Sequence, residues 1–280
     1  MTSRGILRVV SAPTAETLAE SLRPLTRDPE RAAVFCDIDG TLAPIVGRPE
    51  DTHVREEVSL LLSRVGRRYG CVACVSGRAA TEARRLVGVG GIAYIGSHGA
   101  EVLEAGSSQP KLLDAFVSWE GRVADFVEQQ QQNDRNAKLL RLRFEDKGPI
   151  KAFHWRDVPD ESAAETWLQN VAQEAEAEGF EIHWGRKVLE IRPPVPIDKG
   201  QAVTTMVRST GMRSALYGGD DVTDLDAFDA LDALVESGDL DAGVRVGVRS
   251  AEGPRAIVER ADVVVEDVPG FKDVLAALLP

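Results

Sequence analysis

The chain is poor in cysteine and contains no long apolar run. Three cysteines among 280 residues do not suggest the disulfide framework of a small secreted domain. No apolar stretch is close to the length of about 20 residues that a membrane-spanning helix needs. The segment Ile-Leu-Arg-Val-Val at residues 6–10 is too short and too charged for the core of a signal peptide. The cytoplasm is therefore the expected location, and no membrane partner is expected.

Positive charge is also scarce. The chain has 33 lysines and arginines against 45 aspartates and glutamates, which gives a net charge of −12. A broad nucleic-acid-binding surface is therefore not expected. A phosphate-bearing substrate would have to be attracted by a local positive site, against the field of the whole protein. The hydrophobic content of 43% and the charged content of 28% are typical of a globular protein.

One short apolar run, Ala33–Cys36, leads directly into Asp37 and Asp39. Such a run is typical of a strand buried on both faces of a parallel sheet, where ligands bind beyond the carboxyl ends of the strands. If the extended chain continues, the two aspartates lie on the same side of it. Two carboxylates this close repel each other, and a divalent cation with oxygen ligands would compensate. The alternative is a polar turn capped by aspartate.

Similar apolar runs recur along the chain and alternate with helical patterns. Further strands are predicted at 71–75, 92–95, 215–217, 244–248 and 263–265. Helices are predicted within 1–30, where Pro24 is expected to limit the helix, and at 54–65, from Lys199, at 225–231 and at 271–279. Strands that alternate with helices predict a parallel α/β sheet with right-handed crossovers.

The pattern changes between Gly106 and Pro193. The predicted elements here are a helix that includes Leu112 and Leu113, strands at 139–144 and 150–155, a helix over 160–178, and strands at 180–184 and 188–191. Residues 145–149 are expected to form the long turn of a hairpin. We therefore predict an α+β domain, residues 107–193, inserted between the core segments 1–106 and 194–280.

Four polar motifs lie where apolar runs end or where a helix begins. They are Asp37-x-Asp39-Gly40-Thr41, Ser76-Gly77-Arg78, Lys199, and Gly219-Asp220-x-x-x-Asp224. Each alone has an ordinary explanation as a turn, a solvent-exposed lysine or a helix cap. In this order they resemble the motifs of the haloacid dehalogenase-type phosphatases. The resemblance implies an α/β fold with a haloacid dehalogenase-like, Rossmannoid core on a parallel sheet, and an inserted α+β cap.

The resemblance also implies roles for the motif residues. Asp37 would be the nucleophile that forms an aspartyl phosphate, and Asp39 would protonate the leaving group and then activate water. The phosphate would be bound by Thr41, Ser76, Gly77 and Lys199. A Mg²⁺ cofactor would be held by Asp37, the Asp39 backbone carbonyl and Asp220, with Asp221 as a further candidate ligand. Asp224 would either support these ligands from behind or bind the ion through a water molecule.

A narrower resemblance covers the chain from about residue 30 to its end. It rests on Gly96-Ser97-His98-Gly99, Glu145-x-Lys147, His154-Trp155-Arg156, Leu189-Glu190-Ile191-Arg192-Pro193 and Gly219-Asp220-Asp221-Val222-Thr223-Asp224, which are similar to motifs of the trehalose-6-phosphate phosphatases. This implies that Glu145 and Lys147 bind sugar hydroxyls, the alternative being a solvated turn. Further substrate contacts are implied for Arg78, His98, His154, Glu190 and Arg192. A hydrogen-bonded core histidine is the alternative for His154.

The expected activity is Mg²⁺-dependent hydrolysis of trehalose 6-phosphate by a monomer, with possible functional pairing with a trehalose-phosphate synthase. Trp155 replaces a usual tyrosine and Leu225 a frequent glutamate, which leaves room for a related substrate. The related substrates are sucrose phosphate, glucosyl- or mannosyl-phosphoglycerate and a pseudo-disaccharide phosphate. A sugar phosphomutase and a non-catalytic sugar-phosphate sensor are further alternatives. The intact Asp37, Asp39 and Lys199 argue against a sensor, which needs no nucleophile.

Overall fold

The structure is a computed structural model that describes residues 13–47, 51–133, 138–195, 198–251 and 253–280. The segment at residues 6–10 lies outside the described residues. The chain divides into two compact units, of which the first comprises Met1–Val75, Ala83–Ala93 and Asp198–Pro280. The second comprises Ser76–Glu82 and Tyr94–Ile197. The predicted insert, residues 107–193, lies within the second unit, which also takes in Ser76–Glu82 and residues 94–106.

Strands and helices alternate over most of the described chain. In chain order the strands are β1 (Ala32–Cys36), β2 (Cys71–Val75), β3 (Ala93–Gly96), β4 (Glu101–Leu103), β5 (Lys111–Leu112), β6 (Arg143–Lys147), β7 (Ile150–His154), β8 (Glu181–Gly185), β9 (Val188–Arg192), β10 (Ser214–Gly219), β11 (Ala242–Arg249) and β12 (Val263–Glu266). The α-helices are α1 (Ala15–Thr26), α2 (Glu56–Arg68), α3 (Ala80–Val87), α4 (Asp114–Asn133), α5 (Glu161–Ala177), α6 (Lys199–Thr210), α7 (Leu225–Glu236), α8 (Arg255–Arg260) and α9 (Asp267–Ala277). No helix among the described residues is long and apolar enough to cross a membrane.

The first unit is built on a parallel sheet with the strand order β12–β11–β10–β1–β2. Every residue of β1 and β2 is buried, as predicted for short apolar runs that are covered on both faces. Cys36 pairs with Gly218 across β1 and β10. The residues that follow these two strands therefore leave the sheet at the same edge, which is where the predicted Asp37 and Asp220 lie.

Helix α1 runs past Pro24 and ends at Thr26, so the prediction that Pro24 limits this helix is wrong. An interior proline removes a backbone hydrogen bond and costs roughly 3 kcal/mol. Leu18, Leu22 and Leu25 are buried along one side of α1. Their burial contributes about 1.5–3 kcal/mol each, which outweighs the cost of the proline.

The second unit contains an antiparallel sheet with the strand order β6–β7–β9–β8. Helix α4 contacts β7, and α5 contacts β8 and β9. The apolar core of this unit includes Phe126, Phe153, Trp167, Leu168, Val171, Leu189 and Ile191. This arrangement agrees with the predicted α+β pattern. The same unit also holds an antiparallel run in which β3 pairs with β4 and β4 pairs with β5.

Three predicted boundaries in this unit are wrong. The strand that was predicted at 139–144 begins only at Arg143, where β6 starts. Leu112 belongs to β5 and α4 begins at Asp114, so Leu112 and Leu113 lie outside that helix. Strand β6 continues through Glu145 to Lys147, because both residues still pair with β7. The turn of the hairpin is reduced to the two residues after Lys147, and the first of them, a glycine, has a positive φ of 71°. Glu145 and Lys147 therefore lie on one face of a strand and not in a turn.

Candidate active site

Asp37 follows β1 directly, at the carboxyl edge of the parallel sheet. Its backbone N–H donates to the Gly218 carbonyl at 2.9 Å, so the hydrogen bonds to β10 continue as far as Asp37. The side chain is buried, and its Oδ1 accepts a hydrogen bond from Lys199 Nζ at 2.7 Å. Burial raises the pKa of Asp37 well above its usual range, and the ammonium of Lys199 opposes this rise. The ionised form of Asp37 therefore depends on positive charge nearby.

The chain turns soon after Asp37 and does not stay extended. The Ile38 carbonyl accepts the N–H groups of Leu42 and Ala43 at 2.9 and 2.8 Å. Asp39 is half-buried in this turn, and its Oδ1 accepts a hydrogen bond from the Thr52 hydroxyl at 3.3 Å. Asp37 and Asp39 are therefore in different environments, the first buried and the second partly open to solvent.

Three carboxylates within the described parts of the chain lie close enough to share one cation. Oxygens of Asp37, Asp220 and Asp224 all lie within 4.8 Å of one another, and all three residues are buried. Burial, together with the charges of Asp224 and Asp221, raises the pKa of Asp220 to about 7. Buried carboxylate oxygens are suitable ligands for Mg²⁺, whose charge would favour their ionised forms.

Asp224 is the centre of the hydrogen bonding in this cluster. Its Oδ1 accepts hydrogen bonds from Lys199 Nζ at 2.6 Å and from the Tyr217 hydroxyl at 2.7 Å. Its Oδ2 accepts the backbone N–H groups of Asp220 and Asp221 at 2.9 and 3.0 Å. Four hydrogen bonds occupy both oxygens of this carboxylate. Asp224 is therefore better suited to holding Lys199 and the Asp220 loop than to binding a metal directly.

Tyr217 is a residue of this cluster that the sequence analysis missed. It ends a short apolar run, which predicts a core residue, and its side chain is fully buried in the structure. Its ring packs edge-on against Phe228, with 6.2 Å between the ring centroids. Burial and the charges of Asp224 and Asp37 raise the pKa of Tyr217 well above its usual value, so its hydroxyl remains a donor. The available signal was chemical, because a buried tyrosine hydroxyl usually has a hydrogen-bond partner.

Lys199 is the first residue of α6 and places its ammonium between Asp37 and Asp224. The side chain is almost completely buried, and the N-cap Asp198, which accepts the Gln201 N–H at 2.7 Å, fixes the start of the helix. Burial lowers the pKa of Lys199, but the carboxylates of Asp224 and Asp37 outweigh burial and raise it. Lys199 is therefore charged. One ammonium faces three buried carboxylates, and a divalent cation would balance the remaining negative charge.

Gly40 and Thr41 lie against Asp220. Gly40 has a φ of +95°, and a Cβ on it would lie 2.0 Å from Asp220 Oδ2, so a side chain has no room there. The Thr41 hydroxyl donates to Asp220 Oδ1 at 3.4 Å. Asp221 differs from these residues, because it is exposed and its backbone carbonyl accepts the Asp224 N–H at 3.0 Å at the start of a short 3₁₀ helix.

The motif Ser76–Arg78, in the second unit, is held by the turn Ser97–Gly99. The His98 N–H donates to the Ser76 carbonyl at 3.0 Å, and the Ser97 N–H donates to the Arg78 carbonyl at 2.8 Å. The buried Ser76 hydroxyl accepts the Arg78 N–H at 3.2 Å. A Cβ on Gly77 would lie 2.7 Å from the His98 ring, so the position has no room for a larger residue. The arginine of the motif pairs with a glutamate in the first turn of α3 at 2.7 Å.

The charged residues predicted to contact the sugar lie on the polar face of the antiparallel sheet. Glu145 and Lys147 project from β6, His154 from the end of β7, and Glu190 and Arg192 from β9. The strand register places Ala152 between Glu145 and Glu190, so the five side chains share one face. The opposite face carries apolar residues that pack into the core of the second unit.

These five residues form one connected network of ion pairs and hydrogen bonds, called the ion-pair network below. Lys147 Nζ lies 2.9 Å from Glu190 Oε1 and 3.9 Å from Glu145 Oε2, and His154 Nε2 lies 2.6 Å from Glu145 Oε2. Arg192 Nε donates to Glu190 Oε2 at 3.0 Å. Burial raises the pKa of Glu190, but the charges of Lys147 and Arg192 outweigh burial and lower it to about 2. The hydrogen bond with His154 lowers the pKa of Glu145, and His154 itself lies outside the apolar core.

Comparisons with known proteins identify relatives over most of the chain. Residues 35–259 match the trehalose-phosphatase family. An uncharacterized glycosyl hydrolase of Mycobacterium tuberculosis is 34% identical over 208 residues, which are 72% of this chain and 15% of that protein. A trehalose-phosphate phosphatase of Mycobacterium avium is 31% identical over 210 residues, which are 71% of this chain and 51% of that protein. The chain therefore spans less than two thirds of the length of either relative.

Solved structures share the fold. The C-terminal domain of a trehalose-6-phosphate phosphatase from C. albicans has a TM-score of 0.67 at 20% identity, over 95% of this chain and 97% of that one. A haloacid dehalogenase-like hydrolase from Bacteroides thetaiotaomicron has a TM-score of 0.59 at 14% identity, over 89% of this chain and 99% of that one. The fold is therefore haloacid dehalogenase-like, with a mostly parallel central sheet and a separate antiparallel sheet. Since the family match extends over residues 35–259, the chain belongs to the trehalose-phosphatase family.

Proposed function

We propose that this protein is a Mg²⁺-dependent phosphatase that hydrolyses trehalose 6-phosphate to trehalose and phosphate. The observation that supports this most is the buried Asp37, which accepts a hydrogen bond from Lys199 beside two further carboxylates. Burial opposes the ionisation of Asp37, and a protein that only binds its ligand would gain nothing from such a group. Membership of the trehalose-phosphatase family supports the choice of substrate.

The carboxylate cluster fits a divalent cation. Asp37 and Asp220 would hold it together with the Asp39 backbone carbonyl, while the hydrogen bonds of Asp224 support a position behind them. Burial is the main cause of the raised pKa values of Asp37 and Asp220, and a bound cation would favour their ionised forms. When bound, Mg²⁺ would neutralise phosphoryl oxygens and keep the carboxylates ionised.

The two aspartates of the first motif have separate chemical roles in this proposal. An Asp37 oxygen attacks phosphorus, and the bond from phosphorus to the sugar oxygen breaks while Asp39 gives a proton to that oxygen. Asp39 then takes a proton from water, which attacks phosphorus and releases phosphate from Asp37. Lys199 neutralises negative charge on the phosphoryl oxygens and on Asp37 during both steps. The half-buried position of Asp39 and its contact with Thr52 are compatible with repeated proton exchange.

The ion-pair network of the second unit supports recognition of a sugar. Glu145 and Glu190 offer acceptors, Lys147 and Arg192 offer donors, and sugar hydroxyls can both donate and accept. We propose that these residues and His154 bind the disaccharide, and that Arg78 and His98 assist at the phosphate end. The substrate also implies functional pairing with the synthase that makes trehalose 6-phosphate. We expect the protein to act as a monomer in the cytoplasm.

A panel of phosphate esters tests this function. Purified protein with Mg²⁺ is given trehalose 6-phosphate, sucrose phosphate, glucosyl- and mannosyl-phosphoglycerate, glucose 6-phosphate and p-nitrophenyl phosphate. We expect the highest kcat/KM for trehalose 6-phosphate, and no phosphate release by Asp37→Asn. A higher kcat/KM for another sugar phosphate would reassign the substrate. An isomeric sugar phosphate as product would indicate a mutase, and binding without phosphate release would indicate a sensor.

A further inference from the structure

The turn that follows β3 has an unusual backbone. Ser97 and His98 are consecutive residues other than glycine, and they have positive φ values of 51° and 59°. Residues other than glycine rarely adopt this left-handed backbone conformation. It persists only where surrounding contacts fix it. Ser97 is fully buried. The proposed chemistry uses neither the Ser97 hydroxyl nor the buried Glu101 beside it, so the contacts of this turn require another explanation.

The Ser97 hydroxyl links this turn to β6. It donates to the backbone carbonyl of Lys147 at 2.6 Å. Glu101 Oε1 lies 3.3 Å from the same hydroxyl, but a hydroxyl has only one hydrogen, and the shorter contact is the hydrogen bond. Lys147 is the last residue of β6, and its side chain belongs to the ion-pair network together with Glu145. The bond therefore fixes the end of the strand that we propose binds the sugar.

The same turn also holds Ser76–Arg78, the motif that the sequence predicts to bind phosphate. Backbone hydrogen bonds join the turn to Ser76 and Arg78, as described above. Glu101, which is 5% exposed, accepts the Ala80 N–H at 2.7 Å, and Ala80 is the first residue of α3. A Cβ on Gly96 would lie 2.2 Å from the Ala80 nitrogen, so the turn packs directly on the start of this helix. The backbone of the turn thus holds the phosphate motif, and Glu101 holds the start of the helix that follows it.

We propose that Ser97 is a positioning residue that links the sugar-binding end of β6 to the phosphate-binding motif Ser76–Arg78. This inference deepens the proposed function and rests on it for the identity of the two ligands. The left-handed backbone directs the Ser97 hydroxyl to the Lys147 carbonyl while the Ser97 N–H bonds to Arg78. Because one residue is bonded to both segments, binding of phosphate favours the arrangement of β6 that binds sugar, and binding of sugar favours the phosphate-binding arrangement in return.

The variant Ser97→Gly removes the hydroxyl and keeps a residue that accepts positive φ without strain. Its matched control is Ser107→Gly in the same unit, where the hydroxyl donates to the Gln109 carbonyl at 3.1 Å near the surface. The first readout needs no substrate. Amide hydrogen exchange over residues 143–150 should be about three- to tenfold faster in Ser97→Gly, as expected for one lost hydrogen bond, and unchanged in Ser107→Gly.

The second readout is substrate selectivity. In Ser97→Gly, kcat/KM for trehalose 6-phosphate should fall about three- to tenfold, mainly through a higher KM, while kcat/KM for p-nitrophenyl phosphate changes less than about twofold. If Ser97→Gly does not fold, Ser97→Cys replaces it, because its thiol is similar in size but a weaker donor. It should show the same changes to a smaller degree.

Two outcomes would overturn the role of Ser97. One is unchanged exchange over residues 143–150, which would mean that the Lys147 contact fixes nothing. The other is an equal loss of kcat/KM on both substrates, which would mean that Ser97 only supports the phosphate motif. Failure of the proposed function would appear in the wild-type protein, as no hydrolysis of trehalose 6-phosphate. In that case the exchange experiment alone decides the role of Ser97.

Discussion

Replacement of Tyr217 by phenylalanine would remove one hydroxyl from the buried carboxylate cluster and nothing else. The hydroxyl donates to Asp224 Oδ1 at 2.7 Å, and the ring keeps its edge contact with Phe228 in the variant. A hydrogen bond to a charged acceptor contributes about 1.5–3 kcal/mol, and Asp224 keeps its other three bonds. We therefore expect the free energy of unfolding to fall by about 1.5–3 kcal/mol in Tyr217→Phe.

The same substitution should reduce activity. Asp224 Oδ1 accepts hydrogen bonds from both Tyr217 and Lys199. Without the Tyr217 hydroxyl, this oxygen attracts the Lys199 ammonium more strongly and draws it away from Asp37. Asp37 then loses part of the positive charge that favours its ionised form. We expect kcat to fall about three- to tenfold, which corresponds to one weakened hydrogen bond in the transition state, while KM changes little.

Tyr69→Phe is the matched control for this prediction. The Tyr69 hydroxyl is also buried, but it donates to a neutral acceptor, the Leu278 carbonyl, at 2.9 Å. This variant should lose about 0.5–1.5 kcal/mol of stability and keep the wild-type kcat. Urea unfolding at constant m-value measures the stabilities, and phosphate release measures kcat. Equal losses of stability in the two variants, or wild-type activity in Tyr217→Phe, would refute a charged Asp224 as the centre of the cluster.

Four further predictions concern the metal, the two aspartates, the sugar network and its dependence on pH. Chelation should abolish phosphate release and Mg²⁺ should restore it, because the acidic cluster repels a dianionic substrate; full activity in excess chelator would contradict the metal proposal. Asp37→Asn should remove turnover, whereas Asp39→Asn should lower turnover by roughly 10²–10⁴-fold. The loss in Asp39→Asn should be smaller for an aryl phosphate, because its leaving group needs little protonation. Substantial turnover by Asp37→Asn would require another nucleophile. Glu145→Ala and Lys147→Ala should each lower kcat/KM for trehalose 6-phosphate about ten- to a hundredfold and change hydrolysis of p-nitrophenyl phosphate little. Equal losses on both substrates would mean that the two residues support the fold and do not bind the sugar. The pKa of Glu190 is lowered from 4.5 to about 2, so its ion pairs stabilise the fold fully above pH 4.5 and cease to do so as the pH falls to about 2. The difference in the free energy of unfolding between wild type and Glu190→Gln should therefore be about 3 kcal/mol near neutral pH and shrink below pH 4.5. A difference that stays constant with pH would be evidence against stabilisation by the ion pairs of Glu190.

The parallel core could be predicted because its strands are covered on both faces. Such strands need unbroken apolar runs, so the polar residues that follow them, such as Asp37 and Asp220, stand out in the sequence. The register then brings these residues to one edge of the sheet. Lys199 was predicted from its place among the ordered motifs, and the structure adds that Asp198 before it caps the helix that it opens.

The polar face of the antiparallel sheet was harder to predict. Glu145 and Lys147 lie in a charged stretch before Gly148, which composition assigns to a turn, and only the pairing with β7 shows that it is a strand. Hydroxyl contacts between distant residues leave even less trace in the sequence. Ser97 and Lys147 are 50 residues apart in the sequence. Tyr217 belongs to an apolar run, so the sequence predicts only that its ring is buried. Their partners are determined by tertiary packing, which periodicity does not encode.

The most direct test of Asp37 as the nucleophile is to identify the residue that is phosphorylated during turnover. The protein with Mg²⁺ is mixed with trehalose 6-phosphate, quenched in acid within the first turnovers, digested, and analysed by mass spectrometry, while trehalose and phosphate are quantified in parallel. We predict a phosphoryl group on Asp37, none in Asp37→Asn, and equal amounts of trehalose and phosphate from the wild-type protein. A phosphoryl group on another residue, or release of trehalose by Asp37→Asn at the wild-type rate, would contradict this prediction.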